Sequence, residues 1–188
     1  MSRYAALLRG INVAGHNMLP MKELVPMFEA VGCTDVESYI QSGNVVFAAP
    51  ATLARKVPEL VAAKIKGRFR YDTPILVRSA AALAQVAASN PFLAGVAPSN
   101  GTYVAFLANA PAKALVDALD PNRSPPDAFA VRGTEVFLHY PNGAGRTKLT
   151  NVYLESKLAT IATSRNWRTL LQLVEMTQSR RASRARTT

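Results

Sequence analysis

The chain is poor in the residues that carry most protein chemistry. One cysteine among 188 residues, Cys33, excludes an internal disulfide and a cysteine-built zinc cage. It follows Gly32 at the expected end of a helix, where it reads as a small buried apolar residue rather than a nucleophile. The two histidines, His16 and His139, are isolated, with no H-E-x-x-H or comparable ligand spacing, so no metal is expected. No serine is framed by glycines as a nucleophile elbow requires; Ser42 in "QSGN" reads as part of a hairpin turn, whereas an elbow joins a strand to a helix. Glu37, Glu135 and Glu155 remain as acids or bases, each with surface pairing or solvation as its default role. These absences leave the catalytic residues unassigned and imply no cofactor. There is no run of about 18 apolar residues, and a strand-like segment is reached by Tyr4 without a signal-peptide pattern. Neither a membrane span nor a secretory signal is therefore expected, and the reading is cytoplasmic.

What the chain has is a core and a positive charge. A hydrophobic content of 49% suffices for one compact unit or two small, closely packed ones. Its net charge of +10 points to a phosphate-bearing partner. Four of those charges, Arg180, Arg181, Arg184 and Arg186, fall in the acid-free stretch 178–188. That stretch has too little apolar surface to pack and reads as a disordered, solvated tail.

Periodicity divides the rest into two similar halves. A strand is expected over 4–13, then a helix over 21–31 with Leu24, Val25, Phe28 and Val31 at helical spacing; Pro26 inside it predicts a kink or a late start. "VESYIQSGNVVF" reads as a hairpin turning at Ser42-Gly43. A basic helix over 52–69 and a strand over 73–79 complete a βαββαβ order. That succession is the ferredoxin-like arrangement of an α+β protein, with both helices on one face of a four-stranded antiparallel sheet. A short helix over 80–89 follows. The second half repeats part of the pattern: a strand over 102–107, a helix over 111–119 with Pro111 at its first position, a hairpin over 128–140 around Gly133-Thr134, and helices over 152–161 and 167–176. Two related α+β halves, 1–79 and 80–177, sharing a core or a continuous sheet, are the expectation.

Four separated segments, "LLRGINVAGHNMLPMKEL", "YIQSGNVVF", "KLTN" and "TSRNW", resemble the domain of unknown function 1697 family of uncharacterised bacterial proteins. The resemblance spans 4–176. It implies tandem ferredoxin-like units and carries no activity with it. The family's motif positions fall here on Arg9, Gly10, Asn12, Gly15, Asn17, Gln41, Ser42, Gly43, Asn44, Lys148, Thr150, Asn151, Arg165, Asn166 and Trp167. Ala14 stands where relatives commonly have a second glycine, and Thr147 where they commonly have serine before the lysine.

Residues 9–17 leave a strand and enter a helix, a place where exposed amides and the helix dipole favour an anion. Gly10 and Gly15 permit close backbone approach and Arg9 supplies a planar donor fork. Asn12 and Asn17 are equally explained as turn and cap residues, and the spacing fits neither a Rossmann fingerprint nor a Walker loop. A second strand-to-helix loop, 139–151, carries Gly143, Gly145, Arg146 and Lys148, with Thr150 or Asn151 as helix cap. In "TSRNWRT", Arg165 and Arg168 flanking Trp167 suit a nucleic-acid platform, while Ser164 or Asn166 as cap and Trp167 as core anchor is the plainer account.

Three readings compete. The first is a module binding a phosphate-bearing ligand, a nucleotide or nucleic acid, through both glycine-containing loops. The second is a small-molecule enzyme of unassigned reaction in which Gln41, Asn44 and the arginines position a substrate. The third is an interaction protein whose polar motifs only cap and turn the fold. Charge and the paired loops favour the first.

Overall fold

The central strands of this chain are apolar on both faces because each face serves a different core. In a computed structural model that describes residues 1–13, 15–93 and 100–179, β1 (Ser2–Leu8) pairs antiparallel with β3 (Asn44–Ala49) and β4 (Ile75–Ser79), and β2 (Thr34–Tyr39) pairs with β3. The sheet order is β2-β3-β1-β4. Ala6, Leu8, Val45 and Phe47 point to one core, under α1 (Met21–Glu29) and α3 (Val57–Phe69). Ala5, Leu7 and Val46 alternate with them and point to the opposite core. That two-residue period is why "AALL" and "VVFAA" contain no polar position.

The second half repeats the order. Strands β5 (Thr102–Leu107), β6 (Ala128–Arg132), β7 (Glu135–His139) and β8 (Ala162–Asn166) form a second antiparallel sheet, β6-β7-β5-β8. Ala105, Leu107, Val136 and Leu138 face an outer core with Leu154 and Leu158 of α6 (Asn151–Leu158); α5 (Lys113–Asp117) packs against the same core through Leu115 and Val116. Val104, Phe106 and Phe137 face inward. In each half the last strand runs directly into a helix capped by that strand's final residue. Ser79 accepts from the Ala82 amide to start α4 (Ala80–Ala88), and Asn166 accepts from the Thr169 amide to start α7 (Trp167–Gln178). Leu83 and Val86 of α4 and Trp167, Leu170 and Leu173 of α7 join the inward faces of both sheets in one central core. The halves therefore share a core, but each keeps its own sheet.

Several boundaries differ from expectation for identifiable reasons. The first strand ends at Leu8, not residue 13, because the following backbone turns at Gly10 and Asn12, both with positive φ. α1 begins at Met21 with Pro26 inside it, so the late start is not taken. The basic helix is split into α2 (Ala51–Ala54) and α3, with Pro58 in the first turn of α3, where its missing N–H removes no helical bond. Pro111 precedes α5 rather than opening it, since Ala112 is the cap. The strand β8 was not anticipated: its sequence, "ATSRN", has no apolar alternation. Cys33 is buried, and burial pushes its thiol up to about 11, in keeping with a packing role. Gln178 closes α7 and Ser179 follows it; the rest of the expected tail, 180–188, lies outside the described residues. Among the described residues no helix is long and apolar enough to cross a membrane.

Replacing Leu170, fully buried in the central core, by Ala is expected to cost about 2–5 kcal/mol. Urea unfolding followed by Trp167 fluorescence and by far-ultraviolet circular dichroism should give one coincident transition for both halves. Two separated transitions would contradict a shared core.

Candidate functional site

Two asparagines build the loop that follows β1. Asn12 and Asn17 both take left-handed backbone angles, φ 53° and 50°, which asparagine tolerates better than most residues. The Asn12 amide group donates to the carbonyls of Leu19 (3.0 Å) and Gln41 (2.7 Å), and its oxygen accepts from the Leu19 amide (2.8 Å). Asn17 donates to the Gly10 carbonyl at 2.9 Å. The loop is thus closed on itself and stapled to the β2–β3 turn. At that turn Gly43 has φ 73°, and a Cβ there would lie 2.8 Å from Leu8 Cβ. Only glycine fits both the angle and the approach.

The turn and the end of β1 are also where the second half attaches. Arg165 of β8 is only 7% exposed and has no carboxylate at ion-pair distance among the described residues. Its Nε donates to Asn44 Oδ1 at 2.5 Å and its Nη2 to the carbonyls of Leu8 (2.9 Å) and Gly43 (3.3 Å), all in the first half. Its Nη1 donates to Thr163 Oγ1 and the Ser164 carbonyl, both at 2.8 Å. Burial lowers the Arg165 pKa to about 10, so the group remains a cation at neutral pH. Asn44 is fully buried and oriented by its own bonds to Ser42 Oγ and the Tyr39 carbonyl.

A second arginine crosses in the opposite direction. Arg9 donates through Nε and Nη2 to the two oxygens of Glu155 on α6, at 2.6 and 2.7 Å, and Glu155 Oε1 also accepts from the Ala162 amide at 3.0 Å. The hydrogen bond and charge of Glu155 raise the Arg9 pKa against the opposing effect of burial. For Glu155 burial acts upward, and the bonds from Arg9 and Ala162, with the Arg9 charge, outweigh it to hold the carboxyl below its ordinary value. Away from this region Arg78 makes a third crossing, donating to Glu135 at 3.1 Å and to the Leu107 carbonyl at 2.6 Å.

These contacts bring the first loop and the start of α6 around one cleft of about 570 Å³. Its walls include Arg9, Gly10, Ile11, Val13 and His16 from the loop, Ser42 from the turn, Thr150, Asn151 and Val152 from α6, and Arg165. Thr150 caps α6 by accepting from the Tyr153 amide at 3.2 Å, and Asn151 Oδ1 accepts from Ser164 Oγ at 2.6 Å. The amides of Asn151 and Val152, in the first helical turn, have no intrahelical acceptor and carry the positive end of the helix dipole. Arg9 Nη1 donates to no described residue and is not sequestered from solvent.

Of the residues singled out in the sequence, Arg9, Gly10, Asn151 and Arg165 therefore meet in one wall system, with Asn12, Asn17 and Asn44 bracing it. Gln41 contributes its backbone carbonyl, and Gly15 lies in the loop with φ 80°. Arg146 and Lys148 are exposed and stand outside these walls; the Lys148 amide donates to Ser124 Oγ at 3.0 Å. Asn166 is the α7 cap, and Trp167 is 3% exposed, packed against Phe137. Thr163 is a participant that the sequence did not single out, while it offered Glu155 only as an acid or base and Ser164 only as a helix cap. Nothing in the spacing of Arg9 and Glu155, 146 positions apart, signals their pairing.

Because the folded Glu155 carboxyl lies below its ordinary value of 4.5, its stabilising contribution is complete above that value and is lost as pH falls through the lower folded one. Glu155→Gln is expected to be less stable than the natural chain at pH 7 by about 1 kcal/mol. In urea titrations the deficit should shrink steadily below pH 4.5.

A conserved bacterial protein of Streptococcus pneumoniae has a similar fold, with a TM-score of 0.65 at 22% identity, covering 94% of this chain and 99% of its own. No curated protein matches the chain. The family model described as "Protein of unknown function (DUF1697)" matches residues 1–137, so the "KLTN" and "TSRNW" segments lie beyond the matched stretch. With well over half its length inside that match, the chain belongs to the DUF1697 family.

Proposed function

We propose that the cleft between the halves binds the phosphate group of a nucleotide or nucleic-acid ligand. The observation that supports this most is convergence: a glycine-containing loop with a partly free guanidinium, the N-terminal amides of α6 and a buried uncompensated cation border one space. Amides at a helix start and an oriented arginine fork are the groups that recognise oxyanions elsewhere. The net charge of +10 would speed encounter with such a ligand. We read each half, divided at residues 79 and 80, as a ferredoxin-like unit; the element order and the antiparallel sheet orders support that reading. The fold itself selects no ligand.

A competing interpretation draws on one specific fact. The Asn12 and Asn44 side chains and all five donors of Arg165 are already satisfied within the chain, as they would be if the motifs only held the halves together. Thermal shift separates the two. The binding reading expects short oligonucleotides or nucleotides to raise the melting temperature at low salt, less so at physiological salt. Arg9→Ala should abolish the shift, whereas Lys148→Ala, outside the cleft, should leave most of it. No shift with any phosphate-bearing probe favours the purely structural role.

A further inference from the structure

We propose that Glu155 sets the charge class this cleft accepts, fitting it to a singly charged oxyanion of the phosphodiester kind rather than a doubly charged phosphomonoester. The inference rests on reading the cleft as an anion site. Glu155 stands on the far side of Arg9: it lines the adjoining cleft of about 600 Å³, whose walls also include Arg9 and Gly10, and is not among the walls of the first. Its two oxygens take the Nε–Nη2 edge of the guanidinium and leave Arg9 Nη1 free. It therefore subtracts one charge without occupying the space a ligand would fill.

The charge count follows. Arg9 and Glu155 cancel, and Arg165 leaves one positive charge near the floor. A monoanion completes a neutral complex there. A dianion would leave a net negative charge partly removed from water, which is costly. The carboxylate is well placed for a constant role, because the Ala162 amide holds it at 3.0 Å independently of Arg9. Glutamine at 155 retains an oxygen for that amide while removing the charge. A dianion gains about twice as much from that removal as a monoanion does, so the preference must move toward the dianion.

Dimethyl phosphate and methyl phosphate at pH 8 test this, since the diester carries one charge there and the monoester close to two. Their affinities are measured by amide chemical-shift titration of the natural chain, Glu155→Gln and Glu155→Asp. The natural chain should prefer the diester. Glu155→Gln should shift the affinity ratio toward the monoester by about tenfold, as expected for one charge at an effective dielectric constant near 20. Glu155→Asp, which keeps the charge and leaves Arg9 untouched, should keep the diester preference. An unchanged ratio in Glu155→Gln, with binding intact, overturns the role of Glu155 and leaves the anion site standing. A monoester preference in the natural chain overturns the assigned ligand class. Failure of both probes to bind the natural chain overturns the anion site and this inference with it. Should Glu155→Gln fold poorly, Glu155→Asp still decides: a monoester preference in it, with the charge retained, contradicts the charge count.

Discussion

A guanidinium buried between two half-proteins, with carbonyl, amide and hydroxyl oxygens around it and no carboxylate of the described residues beside it, is the constraint on which this architecture rests. Taking a cation out of water is expensive unless every donor finds an acceptor. Arg165 meets that condition only when the halves are docked, because three of its acceptors, Asn44 Oδ1 and the carbonyls of Leu8 and Gly43, belong to the other half. The planar fork then fixes the register between β8 and the β1–β3 region as well as their separation. Gly43 and Asn44 answer to the same requirement, one by allowing the backbone to come close and the other by presenting an oriented oxygen.

The remaining cross-contacts extend that docking. Arg9 reaches from the first half to α6, and Arg78 reaches from β4 to β7, so polar pairs flank a central core filled by α4 and α7. The cleft is a consequence. Where β1 ends and α6 begins, the chain leaves a space between a loop closed by its own asparagines and a helix start whose Asn151 and Val152 amides have no intrahelical acceptor. The groups that hold the halves together and the groups available to a ligand thus share one region, with Arg9 taking part in both.

Much of the fold was legible in the sequence because the strands β1, β3, β5 and β7 are apolar and the hairpin turns carry glycine. The strand β8 was not, since the position that an alternating pattern would give to a hydrophobe is filled by Arg165, and its neighbours Thr163 and Ser164 are hydroxyls that accept from or bond near it. The split before α3 and the position of Pro111 escaped for a local reason: proline permits a helix start within a residue or two, and only packing chooses among them. For the site, the sequence singled out Arg9, Asn44, Asn151 and Arg165 separately. It could not place Asn44 against Arg165, 121 positions away, nor show that Glu155 would neutralise Arg9, because such pairings arise only when the two sheets meet.

The central claim concerns the shape of the buried cation as well as its charge. The most direct measurement is the stability of Arg165→Lys by urea unfolding. Lysine preserves the charge but offers three donors from one point, which cannot serve Asn44, Leu8 and Gly43 together with Thr163 and Ser164. The account expects a loss of about 3 kcal/mol or more, the scale for leaving buried polar groups unpaired beside a buried charge. A loss below about 0.5 kcal/mol, the ordinary range of a surface substitution, would show that the guanidinium does not hold the halves together.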